Sequence, residues 1–236
     1  MKNLLAITLA LFTLTGAASA ETAWAVDSRS LLIGFDTNFP AFVRSIRLIQ
    51  GLQPGEGIMA IDFRPANKKL YGLGSSSRVY VIDTETGTAS AVGTGPFTPA
   101  LDGTEFGFDF NPTVDRIRVT GNKGQNLRLH PDTGMVAATD TALNYEGPAE
   151  GIVASAYTNS VVGATTTTLY NIDSRRKALV TQAPPNDGKL NVVGTRPDDA
   201  GGIRYLARVR PGLSGGAARQ YRQVHAVRSA PGHGRL

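Results

Sequence analysis

Short apolar runs alternate with turn-forming residues along most of the chain, and one set of four runs is especially regular. These runs occupy residues 58–63, 70–73, 79–83 and 88–92, and each ends at proline, glycine, serine or a Thr-Glu-Thr-Gly turn. Runs of this length between turn residues are typical of β-strands. The third run is apolar on both faces, as expected of a strand covered from both sides. The pattern therefore predicts four antiparallel strands over residues 57–93.

The same pattern recurs 47 residues further along the chain. Matched pairs at this offset are Asp62 and Asp109, Phe63 and Phe110, Pro65 and Pro112, Leu70 and Ile117, and the turn glycines Gly87 and Gly134. A third unit spans residues 151–194, where Leu169–Asp173 matches Val79–Asp83 after a shortening of four residues. The N-terminal unit starts late and matches only from the second strand onward.

A four-stranded unit of roughly 40–50 residues in tandem is typical of a β-propeller blade. We therefore predict an all-β, propeller-like array of four-stranded antiparallel blades with a period of about 47 residues. In closed propellers a strand from the other terminus completes the first blade, so this ring is open or incomplete unless the C-terminus supplies one. The alternative is a two-sheet β-sandwich with accidental repetition.

The two ends of the chain differ from the repeat. Lys2, an apolar run from Leu4 to Leu14 and an Ala-Ser-Ala ending at Ala20 are typical of a secretory signal cleaved after Ala20. We expect a periplasmic or extracellular protein without a membrane span, because the run is too short to cross a bilayer. The expected segments are a signal peptide (1–20), a propeller-like domain (21–194) and an irregular tail (195–236).

The net charge of +5 originates in the tail. Residues 196–236 hold eight of the 24 Lys and Arg residues and two of the 19 Asp and Glu residues. The rest of the chain keeps 16 basic and 17 acidic side chains and is nearly neutral. This distribution argues against nucleic acid as the partner of the repeats. We expect a small-molecule or protein ligand, and a monomer unless the edges of an open ring associate.

Several chemistries are excluded by residue types. The chain has no cysteine, which excludes disulfides, thiolate zinc sites and cysteine nucleophiles. The match of residues 212–216 to a G-x-S-x-G nucleophile motif is not followed by any Asp or Glu that could complete a triad. We therefore predict no catalytic residues and no organic cofactor.

Four oxygen-bearing side chains are the candidates for a metal site: Asp62, Asp109, Asn111 and Asp115. Asp62 and Asp109 hold equivalent positions near the end of the first strand, which in propellers lines the central channel. Carboxylate and amide oxygens are ligands that Ca²⁺ prefers. The alternative is that each aspartate caps the turn at the proline that follows it.

Three arginines are the candidates for binding an anionic ligand: Arg116, Arg118 and Arg128. Residues two apart on a strand share a face, so Arg116 and Arg118 should project together. Guanidinium groups bind anions through paired hydrogen bonds. The alternative is a solvated face with ion pairs to Asp109 or Asp115.

Long motifs resemble the DUF4394 family of exported bacterial proteins. They are FGFDFNPTVDRIRV at 106–119, GQNLRLHPDTG at 124–134, GATTTTLYNID at 163–173 and APPNDGKLNVVG at 183–194. The resemblance covers residues 22–194 and implies a propeller-like all-β fold, a function that is not characterised and no catalytic residues. Members of that family are expected to continue with a further blade, which the tail does not resemble. We hypothesise a frameshift or gene damage near Gly194; the alternative is a genuine basic tail that contacts polyanions.

These observations lead to two functional hypotheses. The first is an exported, non-catalytic binding or scaffolding module of unknown ligand, since propellers present loops and a channel mouth to ligands. The second is a divalent-metal-assisted hydrolase or lyase that uses the channel residues Asp62, Asp109 and Asn111.

Overall fold

The computed structural model describes residues 22–195, which form fifteen β-strands in four antiparallel sheets. The predicted signal peptide with its predicted cleavage after Ala20, and residues 196–236 of the predicted tail, lie outside this range. The all-β prediction is confirmed. The strands form four separate sheets, so the alternative of a two-sheet sandwich is wrong. None of the described residues forms a helix with the length and apolar content needed to cross a membrane.

Strands follow one another in chain order within every sheet. The first sheet contains β1 (Thr22–Val26), β2 (Leu31–Asp36) and β3 (Val43–Leu48). The second contains β4 (Ile58–Phe63), β5 (Leu70–Gly74), β6 (Arg78–Ile82) and β7 (Ala89–Val92). The third contains β8 (Phe106–Asn111), β9 (Arg116–Gly121), β10 (Asn126–Leu129) and β11 (Val136–Thr139). The fourth contains β12 (Ile152–Tyr157), β13 (Leu169–Asp173), β14 (Ala178–Gln182) and β15 (Leu190–Thr195), with a 3₁₀ helix at Pro185–Asp187.

The sheets stack as propeller blades in the order one to four. Strand β4 packs against β8, and β8 packs against β12, so the first strands of the four-stranded sheets lie side by side. Among residues 22–195 the first sheet has no such strand: β1 matches β5 at the offset of 47, as the late start of the N-terminal unit predicts. Within residues 22–195, no strand of the first sheet packs against the fourth sheet as neighbouring sheets do.

Apolar side chains fill the spaces between sheets. Between the first and second sheets these are Val26, Leu32, Ile49, Ile58, Ile61, Leu70, Tyr80, Ile82 and Ala89. A larger cluster between the second and third sheets contains Tyr71, Leu73, Val79, Phe97, Phe108, Phe110, Ile117, Leu127 and Leu129. The Tyr71 and Phe110 rings meet edge to face with their centroids 5.0 Å apart. This core holds the two central sheets in fixed relation.

The turn glycines of the repeat serve both hairpin geometry and packing between sheets. Gly87 and Gly134 have φ angles of 79° and 68°, as predicted for their turns. A Cβ on either residue would come within 2.6 Å of a backbone carbonyl of the preceding sheet, that of Leu48 or Val92 respectively. Glycine is therefore required at each position for two reasons: the backbone is left-handed, and a carbonyl of the preceding sheet lies too close for a Cβ.

The sequence match proposed for the third unit is wrong by one strand. Strand β13 pairs directly with β12, so Leu169–Asp173 is the counterpart of β5 and does not correspond to Val79–Asp83. The cause is shared turn chemistry: the Asp83 and Asp173 carboxylates each accept a backbone N–H three residues later, at 2.9 and 2.8 Å. The loop at 158–168 between β12 and β13 is longer than its counterparts, so β13 lies further along the sequence and resembles the third strand of the unit instead of the second.

Candidate functional site

Asp62 and Asp109 link successive innermost strands. The Asp62 Oδ2 atom accepts the backbone N–H of Phe110 at 2.7 Å, and the Asp109 Oδ1 atom accepts that of Tyr157 at 3.0 Å. Both carboxyl groups are fully buried, and Asp62 Oδ1 accepts no hydrogen bond from the described residues. The carboxyls therefore join β4 to β8 and β8 to β12, and the alternative that they cap their own turns is wrong. Ala156 holds the matching position on β12, so this series of links ends there.

Burial raises the pKa of both carboxyl groups. Desolvation raises the pKa of Asp62 well above its ordinary value, while the N–H groups of Phe110 and Phe63 oppose the shift. Desolvation also raises the pKa of Asp109, and the nearby Asp62 charge adds to the effect. Because each negative charge disfavours the other, the pair resists double ionisation.

This pair predicts a pH-dependent stability difference for Asp62→Asn. A raised pKa means that the folded chain retains protons that the unfolded chain releases above about pH 4, so ionisation of the pair lowers the free energy of unfolding as pH rises. The asparagine variant keeps an oxygen that can accept the Phe110 N–H but has no ionisable group. Urea unfolding of the variant should therefore show a gain in stability relative to the original chain that increases with pH.

Asp83→Asn provides a control of opposite sign. The N–H groups of Thr86 and Glu85 lower the pKa of Asp83, so its carboxylate stabilises the folded chain above the unfolded pKa. Its replacement should cost stability increasingly as pH rises. Parallel pH profiles for Asp62→Asn and the original chain would contradict the assignment of a shifted pKa to Asp62.

The other two metal candidates are directed elsewhere. Asn111 Oδ1 accepts the backbone N–H and the hydroxyl of Thr113 at 3.0 and 2.7 Å. Asp115 forms an ion pair with Arg64, whose Nε lies 2.9 Å from Asp115 Oδ1. The four candidates are therefore not brought together, and residues 22–195 contain no group of three or more His, Asp or Glu side chains placed to hold a metal ion.

Arg64 forms an ionic centre that the sequence analysis missed. Its guanidinium is largely buried and contacts Asp115, Asp132 Oδ1 at 2.5 Å and the Tyr71 hydroxyl at 3.2 Å. The Asp115 carboxylate raises the pKa of Arg64, although burial opposes this shift. Because Arg64 follows β4 and both aspartates belong to the third sheet, this centre fastens the second sheet to the third. The repeat contains no signal for it, since the position matching Arg64 is Asn111.

Two of the three candidate arginines converge on one carboxylate. Arg118 Nη1 lies 2.6 Å from Asp140 Oδ2, and Arg128 donates to both Asp140 oxygens at 2.8 Å. Arg116 lies apart and donates to the backbone carbonyl of Asp115 at 2.9 Å. The predicted alternative is a solvated face with ion pairs to Asp109 or Asp115. Ion pairs are present, but their partner is Asp140, and the solvated face is wrong for Arg118, which is 2% exposed.

Arg118 belongs to a buried polar network between the third and fourth sheets. It donates to Asn126 Oδ1 and Asn186 Oδ1, both at 2.8 Å. The network continues through Gln182 to Asn126 at 3.2 Å, Asn171 to Gln182 at 2.9 Å, Ser155 to Asn171 at 2.6 Å, and Thr120 to Ser155 at 2.7 Å. Three of these bonds cross between the sheets, namely Arg118 to Asn186, Gln182 to Asn126, and Thr120 with Ser155, and the others connect neighbouring strands of one sheet.

A change of residue type within the repeat marks this network in the sequence. The second sheet presents Tyr71, Leu73, Val79 and Val81 at the positions where the third sheet presents Arg118, Thr120, Asn126 and Arg128. The second sheet therefore presents an apolar face to the third sheet. The corresponding face of the third sheet is polar, and it packs against the fourth sheet. This substitution pattern, read across the repeat, could have indicated the network.

Comparison with known proteins agrees with the family resemblance. A family model described as a domain of unknown function (DUF4394) matches residues 31–203. No curated protein matches the chain.

Proposed function

The chain belongs to the DUF4394 family, and on that premise we propose that it is an exported, non-catalytic binding or scaffolding module. The family description assigns no activity, so the proposal rests on the residues themselves. Export is supported by Lys2, the apolar run from Leu4 to Leu14 and the small residues ending at Ala20.

One observation carries the non-catalytic role: the polar side chains suited to chemistry are already used to hold the sheets together. Asp62 and Asp109 are buried between innermost strands, where they accept backbone N–H groups. Arg118 and Arg128 share Asp140, and Arg118 is buried as well. A catalytic group must reach its substrate, whereas Asp62, Asp109 and Arg118 are buried within the blade stack. The arrangement favours a rigid platform whose exposed surfaces bind a ligand.

The alternative enzyme would use Asp62, Asp109 and Asn111 around a divalent cation. Its support is the proximity of two buried carboxyls on neighbouring innermost strands, whose charges interact. A divalent cation between them would offset that repulsion. The two hypotheses therefore differ in a measurable property, the dependence of stability on a bound metal ion.

Elemental analysis with thermal unfolding before and after chelation tests the proposal. For a binding module we expect no stoichiometric divalent metal and an unchanged Tm after EDTA treatment. A resident metal would stabilise the folded chain by mass action, so its removal would lower the Tm. Metal that is lost on chelation, together with a lower Tm, would support the enzyme.

Two variants sharpen this test. Asp109→Asn should leave the metal content and the EDTA response unchanged if the carboxyl only links strands. Asp102→Asn is the matched control, since that carboxylate forms an exposed ion pair with Lys123 at 2.9 Å. Metal retained by Asp102→Asn and lost from Asp109→Asn would overturn the proposal.

A further inference from the structure

The two ends of the blade stack differ from its middle in how their strands are covered. All residues of β5 are buried, as are five of the six in β9, so the central sheets are covered on both faces. In β2 and β13 buried and half-exposed residues alternate strictly. Strict alternation means that residues 22–195 leave one face of the first sheet and one face of the fourth uncovered.

The open face of the first sheet is apolar. It carries Leu31, Ile33 and Phe35 on β2, all half-exposed, and Ile46 and Leu48 on β3, which are 54% and 53% exposed. The positions that match Ile33 and Phe35 in the second sheet are Tyr80 and Ile82, which are 0% and 2% exposed because the first sheet covers them. The first sheet thus presents the surface that elsewhere in the stack packs against a preceding sheet.

The open face of the fourth sheet corresponds to the face that, in the other sheets, packs against the following sheet. Asn171 and Gln182 point toward the third sheet through the polar network, so Tyr170, Ile172 and Leu179 point away from it. Tyr170 and Ile172 are half-exposed, and Leu179 is 39% exposed. Contiguous exposed apolar surface of this kind is unusual in a protein that remains alone in solution.

We propose that these two faces bind each other between copies of this chain, with the fourth sheet of one copy packed on the first sheet of the next. Every contact within the stack joins the later face of one sheet to the earlier face of its neighbour. When a second copy is placed head to tail, the later face of the fourth sheet meets the earlier face of the next copy's first sheet, which is the same kind of contact. The contact is heterologous, so it closes into a ring or extends into a filament. It stands independently of the metal-free binding role proposed above.

Single-cysteine variants test the contact directly, because the chain contains no cysteine of its own. Ile33→Cys and Leu179→Cys each place one thiol at the centre of an open face, on the corresponding third strands of their blades. The two full-length variants are mixed, one of them with a larger affinity tag, and treated with a short bismaleimide crosslinker. We expect more crosslinked dimer that joins Ile33→Cys to Leu179→Cys than dimer that joins two copies of the same variant.

Three outcomes overturn the proposal. Dominant crosslinking of Ile33→Cys to itself would show that first sheets pack on each other. Crosslinking within one chain in the double variant would show that the stack closes on itself. A single-chain mass for the unsubstituted protein at every concentration would show that no second copy binds.

Charge insertion supplies a second, independent measurement. Ile46→Lys lies on the exposed outer strand of the first sheet, where the substitution should not disturb folding, and it should abolish the concentration-dependent increase in mass seen by light scattering. Val114→Lys is the matched control, since Val114 is 56% exposed in a turn of the third sheet. Equal association of the two variants would contradict the assigned surface.

Discussion

Replacing Arg118 by alanine is expected to lower the free energy of unfolding by about 3–5 kcal/mol, the usual cost of removing one partner from a buried ionic network. The guanidinium is 2% exposed and donates to Asp140, Asn126 and Asn186. Its loss removes one donor from each of these acceptors and leaves the buried Asp140 carboxylate with Arg128 as its remaining ion-pair partner. Chemical denaturation followed by circular dichroism measures the change.

Arg116→Ala is the matched control on the same strand. Arg116 is half-buried, and its guanidinium donates to backbone carbonyls at the start of β9. We expect a change within about 0.5 kcal/mol, as for most surface substitutions. Similar losses from both variants would mean that the network contributes no more than an ordinary surface arginine. An Arg118→Lys variant should recover little, because lysine lacks the planar fork that reaches several acceptors at once.

Gly107→Ala is expected to cost about 3 kcal/mol, at the upper end of typical overpacking penalties. Gly107 lies on β8 in close contact with Ser155 of β12. A Cβ there would come within 2.6 Å of the Ser155 backbone nitrogen and of the Thr120 hydroxyl oxygen. Because a backbone atom cannot rotate away, the innermost strands must separate. Separation would also strain the link from Asp109 to the Tyr157 N–H.

Gly95→Ala is the control for this substitution. A Cβ at Gly95 meets no atom within 4 Å, and its φ angle is not positive. Stability should stay the same or rise by about 0.4–1 kcal/mol, since alanine reduces the freedom of the unfolded chain. A small effect of Gly107→Ala, close to that of Gly95→Ala, would show that the two innermost strands have room to adjust.

The strands of the second sheet could be predicted almost to the residue. The runs at 58–63, 70–73, 79–83 and 88–92 became β4 to β7 with shifts of one residue at most. Local rules suffice there, because turn residues end each run and apolar side chains lie on both faces. The prediction was wrong for Leu169–Asp173, where an equivalent turn follows a different strand of the blade.

The candidate site was predicted less well, because residue type indicates polarity but not the partner. Asp62 and Asp109 were correctly singled out as equivalent, yet their role as links between sheets was not foreseen. Arg64, whose side chain joins Asp115 and Asp132, was not identified at all. These partners come from different sheets, and their contacts depend on how the sheets stack.

The sequence by itself determined the family, the all-β class, the repeat and the start of the N-terminal unit at its second strand. Each of these depends on local periodicity, turn chemistry or motifs that lie within a few tens of residues. The tertiary structure alone decided which polar groups meet: Asp62 bonds to a residue 48 positions away, and Arg118 bonds to one 68 positions away. Such pairs are set by the packing of one sheet on the next, which brings together polar groups that lie far apart in the sequence.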